Sequence, residues 1–204
     1  VCRAADVAGS IDLIVYDRER DLHHIVDYKR SDKLQKDLRG YGKMKPPMNH
    51  LDDCKGASYA LQLSIYQWIM ERDYGMQFGD RILLSLHPDR PYCTSVPYLK
   101  SEVDFLMQRR INLVKAREEV ATRTGMRCVL TGAPLVDAVI LGDNTKAMEK
   151  VARVRQLEFT VDANTRAAFE QEVANVYVEP PDIDKVAKIA WKKRMPEEGI
   201  PPFA

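Results

Sequence analysis

The stretch HHIVDYKRS, residues 23–31, sets Asp27 and Lys29 two positions apart. Residues two apart on a β-strand point to the same face, so an acid and a base would share one patch of a sheet. The apolar runs on either side of Arg18–Asp21 predict a β-hairpin, in which Asp17 pairs with Leu22 and Asp12 falls opposite Asp27. Side chains directly opposed in an antiparallel pair have Cβ atoms about 4.5–5.5 Å apart, and like charges there destabilise the sheet. Lys29, on the same face and opposite Ser10, neutralises part of that repulsion. A divalent cation neutralises more: Mg²⁺ takes oxygen ligands at about 2.0–2.1 Å and usually keeps waters while using one or two protein carboxylates. Mn²⁺ suits the same hard oxygen donors. The alternative is an edge hairpin whose acids and lysine form a solvated face.

A second group lies in ASYALQLSIYQWIMERDYG, where Leu61, Ile65, Trp68 and Ile69 repeat at helical spacing and Gly75 supplies a stop. Gln62 and Tyr66 are four apart and share a face with Tyr59, beside that apolar stripe. Such a helix, packed on the sheet by Leu61, Ile65 and Trp68, would turn Gln62 and Tyr66 toward the carboxylate pair. Between Lys29 and Lys45 seven cations (Lys29, Arg30, Lys33, Lys36, Arg39, Lys43 and Lys45) face two acids, a local balance of +5. A loop of that charge suits phosphate-backbone contact, or is simply a solvated loop. Lys185, Lys188, Lys192, Lys193 and Arg194 form a further basic stretch.

These groups need elements to hold them. The chain has 204 residues, 45% hydrophobic and 30% charged, enough for one cored domain and an appendage. Its net charge of +1 gives no global basicity, so any nucleic-acid signal must be local. Cysteines at 2, 54, 93 and 128 are too scattered for a metal knuckle or a dense disulfide framework, and read as free thiols in a cytosolic or nuclear compartment. His23, His24, His50 and His87 have no metal-ligand spacing and read as structural. No apolar run approaches the roughly 20 residues that span a bilayer. A start at Val1, close to the first strand, suggests a domain of a longer protein.

After the hairpin, residues 31–56 read as a long excursion with little regular structure, followed by the helix, the buried strand RILLSL, an edge strand reaching Tyr98 and a helix from about Ser101 to Thr122. The order predicts an α/β (α+β) core, residues 1–125, with a mixed sheet flanked by helices. Helical patterns near 145–157, 163–176 and 182–194 predict a helical C-terminal extension, 126–204.

The run G-x-x-D-L at Gly9–Leu13, then D-Y-K at Asp27–Lys29, then Q-x-x-x-Y at Gln62–Tyr66 resembles the PD-(D/E)xK nuclease superfamily, in its RecB-like exonuclease branch. The resemblance covers Gly9 to about Pro88. It implies a restriction-endonuclease-like core, with Asp12, Asp27 and the Tyr28 carbonyl as ligands of Mg²⁺ or Mn²⁺. It also implies Lys29 as the catalytic lysine, with Gln62 and Tyr66 supporting the site and contacting the scissile strand. Family members carry a Glu or His on a helix before the first strand, for which Val1–Ala8 offers no counterpart, and the cysteines do not match the relatives that hold an iron–sulfur cluster. The expected activity is Mg²⁺-dependent hydrolysis of DNA within a larger replication, recombination, repair, viral or mobile-element protein. The alternatives are an inactive docking module of that fold, for nucleic acid or protein, and an RNA endonuclease.

Overall fold

A computed structural model of the chain describes residues 1–124, 163–181 and 188–196. The expected hairpin is present as β1 (Leu13–Asp17) and β2 (Leu22–Lys29), paired from Asp17↔Leu22 to Leu13↔Val26. Its loop is built by Asp17, whose Oδ1 accepts from the N–H groups of Glu19 at 2.9 Å and Arg20 at 3.2 Å, and by Asp21 at φ 53°. Short acidic side chains do both jobs: they bond the backbone just ahead of them and tolerate the left-handed region.

β2 then pairs in parallel with β3 (Phe78–Ser85), which pairs antiparallel with β4 (Tyr92–Val96), giving a four-stranded mixed sheet in the order β1-β2-β3-β4. A parallel pair needs a crossover. Here the crossover carries a short helix, α1 (Leu34–Asp37), and the long helix α2 (Lys55–Tyr74). The architecture is α+β, a mixed sheet flanked by helices. α2 starts where Cys54 Sγ accepts from Ala57 N–H at 3.4 Å and stops at Gly75, which adopts φ 67° as its N–H donates to the Met70 carbonyl.

The packing face of α2 differs from the expected one. Its buried residues include Ala57, Ala60, Leu63, Ser64 and Gln67; of the expected stripe Ile69 is buried, whereas Leu61, Ile65 and Trp68 are only half-buried. Two polar residues hid the true stripe, because each is satisfied inside the fold. Ser64 Oγ accepts from Leu99 N–H at 3.0 Å, and Gln67 joins the buried Arg81 and Glu71. Trp68 instead donates its indole N–H to Asp104 at 2.7 Å and carries the Arg72 guanidinium on its ring.

The excursion is more than a loop. It places Leu34, Leu38, Met48 and Leu51 in the same core as Ile25, Ala60, Leu63 and Leu83. Gly56 lets it close on α2: a Cβ there would lie 2.7 Å from Leu38 Cα. A short helix far along the chain, α5 (Trp191–Arg194), completes this core, with Trp191 buried and its indole N–H donated to the Leu38 carbonyl at 2.9 Å.

The chain forms two compact units, one of Val1–Arg3, Val7–Met107 and Pro181–Ala204, the other of Ala4–Asp6 and Gln108–Pro180. The long helix α3 (Lys100–Thr124) begins in the first and continues in the second. In the second unit it is joined by α4 (Ala163–Val176), the helix expected at 163–176, around Val120, Ala121, Phe169 and Val173. The helical pattern near 145–157, residues 182–187 with Lys185, and Cys128 lie outside the described residues.

Candidate functional site

β2 is flanked on both sides, by β1 and β3, so its residues occupy the middle of the sheet. Ile25, Asp27 and Lys29 alternate onto one face, and Ile25 packs in the core with Ala60 and Leu63 of α2. Asp27 is 6% exposed, and its Oδ2 forms an ion pair with the Lys29 ammonium. Apart from that ion pair, Oδ2 is buried and has no hydrogen-bond partner. On its other side Lys29 Nζ stands 4.1 Å from the centroid of the Tyr59 ring, within cation–π range.

Asp12 precedes β1, one position beyond the Leu13↔Val26 pair, which is the place opposite Asp27 in the expected register. It is exposed, and its Oδ2 accepts from Tyr28 N–H at 3.0 Å, supplying a rung where the backbone ladder ends. The two acids thus have different partners: Asp27 has an ammonium, Asp12 a strand amide.

Tyr59, Gln62 and Tyr66 form one stripe of α2. Tyr59 covers Lys29, while the Tyr66 ring lies on Gly9, just upstream of Asp12. Between them Gln62 is exposed and donates its amide to the Tyr66 hydroxyl at 2.9 Å. Contacts therefore link Gly9, Tyr66 and Gln62 on one side, Asp12 and Tyr28 across the hairpin, and Asp27, Lys29 and Tyr59 on the other. Sequence reasoning assigned Tyr59 no role of its own; its place three residues before Gln62 was the signal.

Of the seven cations, Lys33, Lys36 and Arg39 line a cleft of about 470 Å³ together with Lys55, Ser58 and Tyr59, so the cleft reaches the ring that covers Lys29. Asp37 and Asp53 also line it, and Asp37 is paired with Lys55 at 3.5 Å. Lys43 is bound to the buried Asp52, and the exposed Arg30 and Lys45 do not line this cleft. Of the C-terminal cations, Arg194 is turned inward: its guanidinium meets the buried Glu102 at 2.7 Å, which also pairs with His50 Nε2 at 2.8 Å. The other histidines also serve backbone bonds: His23 with the Gln77 carbonyl, His24 with Asp80 N–H, His87 with Asp89 N–H. Cys2, Cys54 and Cys93 are free thiols, and burial pushes those of Cys54 and Cys93 above the usual range.

A hard divalent ion would need the Asp27 carboxylate, whose buried Oδ2 has the Lys29 ammonium beside it and no hydrogen-bond partner; Asp12 and the Tyr28 carbonyl would complete the protein's share. Among the described residues no group of three or more His, Cys, Asp or Glu side chains could hold a metal ion. Among the described residues no helix is long and apolar enough to cross a membrane. Compared with protein-family models, curated proteins and solved structures, the chain finds no match.

Proposed function

We propose that the chain is a divalent-metal-dependent nuclease of the PD-(D/E)xK type, RecB-like, acting on DNA. The observation that carries this reading is the arrangement on β2: a buried carboxylate, a lysine on the same face ion-paired to it, and a second carboxylate just before the neighbouring strand. A lysine and an acid on an inner strand, with a second acid just before its neighbour and a basic cleft beside them, suit phosphodiester hydrolysis better than they suit a structural role.

Asp12, Asp27 and the Tyr28 carbonyl would hold Mg²⁺ or Mn²⁺, which supplies Lewis-acid charge at the phosphate and acidifies a bound water. The protein's own groups do the rest. Lys29, held between Asp27 and the Tyr59 ring, presents N–H donors to the attacking water and to the developing negative charge. Gln62 and Tyr66 offer an exposed amide and a phenol to the scissile strand. Lys33, Lys36, Arg39 and Lys55 hold the adjoining phosphates.

A second reading, an inactive docking module of the same fold, is favoured by one observation: among the described residues no group of three or more His, Cys, Asp or Glu side chains could hold a metal ion. One experiment separates them: end-labelled DNA and RNA are incubated with wild type, Lys29→Ala and Asp27→Asn, with and without Mg²⁺ or Mn²⁺. The enzyme reading expects divalent-dependent cleavage of DNA, reduced about 10²–10⁴-fold by Lys29→Ala with binding nearly unchanged. DNA bound but uncut, with wild type and Lys29→Ala alike, leaves the docking module, and cleavage of RNA alone leaves the RNA endonuclease.

A further inference from the structure

A second cleft, of about 520 Å³, opens where the excursion meets α5 and β4. Its lining combines three kinds of group: aromatic rings from Tyr41, Tyr92 and Trp191, cations from Arg39 and Lys192, and the carboxylate of Asp52. Tyr41 is fully exposed between Gly40 and Gly42, a large ring left in water at a loop tip. Asp52 is the opposite case. It is 2% exposed, Lys43 occupies its Oδ1, and Oδ2 is buried with no hydrogen-bond partner. A buried acceptor left unpaired is unfavourable, and an N–H donor entering the cleft would relieve it.

We infer that this cleft binds one nucleotide of a single DNA strand: Tyr41 stacks on the base, Arg39 and Lys192 meet its phosphates, and Asp52 Oδ2 accepts from an amino group on the base edge. An aromatic face beside cations is the common platform for unpaired bases, and a carboxylate accepts from the amino group of cytosine as it does in base-edge recognition. The volume falls in the range of small-molecule sites. A strand, rather than a free nucleotide, follows from Arg39. The same residue lines both this cleft and the basic cleft that ends at Tyr59 and Lys29, so phosphates can track from one to the other. The assignment of a strand rests on the nuclease reading; the stacking pocket itself does not.

The test is fluorescence anisotropy of labelled oligo(dC), oligo(dT) and duplex DNA with the full chain in EDTA, which removes cleavage from the measurement. Tyr41→Ala should weaken oligo(dC) binding about 5–100-fold, and Tyr41→Phe should bind as wild type, because stacking needs the ring and not the hydroxyl. Oligo(dC) should bind more tightly than oligo(dT), whose ring N–H lies between two carbonyls, and Asp52→Asn should abolish that preference. Since Asp52 also holds Lys43, its variant is checked by thermal melting, and the exposed Tyr41 gives a result independent of folding. Equal affinity of wild type and Tyr41→Ala for oligo(dC) overturns the proposal. Displacement of oligo(dC) by dCMP at matched nucleotide concentration overturns the strand assignment in favour of a mononucleotide. Cleavage with no Tyr41 effect leaves the nuclease reading standing without this site, whereas Tyr41-dependent binding without cleavage under Mg²⁺ does the reverse.

Discussion

The ring of Tyr66 rests on the backbone of Gly9, so closely that a Cβ on Gly9 would come within 2.4 Å of Tyr66 Cε1. That approach explains the glycine of the G-x-x-D run physically, because it admits the ring that receives the Gln62 amide. Gly9→Ala must push the ring aside, and should disturb the Gln62–Tyr66 bond with it. Gly9 is exposed and precedes β1, so the fold should survive while cleavage falls about tenfold, a loss of about 1.4 kcal/mol in transition-state stabilisation. Tyr66→Phe, which removes only the hydroxyl, should move the rate in the same direction. Single-turnover rates with melting temperatures check both; an unchanged rate in Gly9→Ala would remove this stripe of α2 from the site.

The basic cleft can be tested apart from the chemistry. Alanine at Lys33, Lys36 and Arg39 together should weaken DNA binding and make log K against log salt shallower by about 2–3 units if each meets a phosphate. Lys43 behaves differently, since it is engaged by the buried Asp52. Lys43→Ala should lower stability by about 1–3 kcal/mol, read as a shift in urea midpoint. A salt slope equal to wild type in the triple variant would show that the strand runs elsewhere.

Much of the hairpin was legible because its register follows from two local facts, a four-residue polar loop and an apolar run on each side of it; the pair Asp17↔Leu22 fixes all the others. The face of α2 was not legible. Periodicity counts Leu61, Ile65 and Trp68 as core and Ser64 and Gln67 as surface, yet the polar pair is buried because Leu99 N–H and Arg81 wait for it in the fold. Arg194 reads as one more cation in a basic stretch, and only its buried partner Glu102, 92 residues back along the chain, turns it into a clamp. The same limit applies to the excursion, whose glycines and charges spell a loop although Leu34, Leu38 and Leu51 are core. Local patterns carry local pairing; partners brought from a distance leave no mark on them.

That clamp predicts a stability effect far from the candidate site. Glu102 is 1% exposed and is met by Arg194 and His50, while Trp191 fills the core three residues before Arg194. Removing one partner of a buried ion pair costs about 3–5 kcal/mol. Arg194→Ala should therefore lower the urea midpoint sharply, as should Trp191→Ala through loss of a buried indole. A midpoint within error of wild type in Arg194→Ala would mean that α5 contributes nothing to the first unit.

Tyr98 gives the pH dependence with a definite sign. Burial raises its phenol above the ordinary value of 10.0, and the hydrogen bond from its hydroxyl to Glu71 Oε2 at 2.9 Å adds to the rise. The folded state thus prefers the neutral phenol more than the unfolded chain does. Stability from this source is complete below pH 10.0 and is lost progressively as the pH climbs from there toward the raised folded value. Tyr98→Phe has no proton to lose, so its unfolding free energy should fall less steeply than that of wild type above pH 10.0, while below it the variant is the less stable of the two for want of the Glu71 bond. Urea titrations of both proteins at stepped alkaline pH measure the difference directly. Parallel curves through that window would mean that the phenol ionises as easily in the fold as in the unfolded chain.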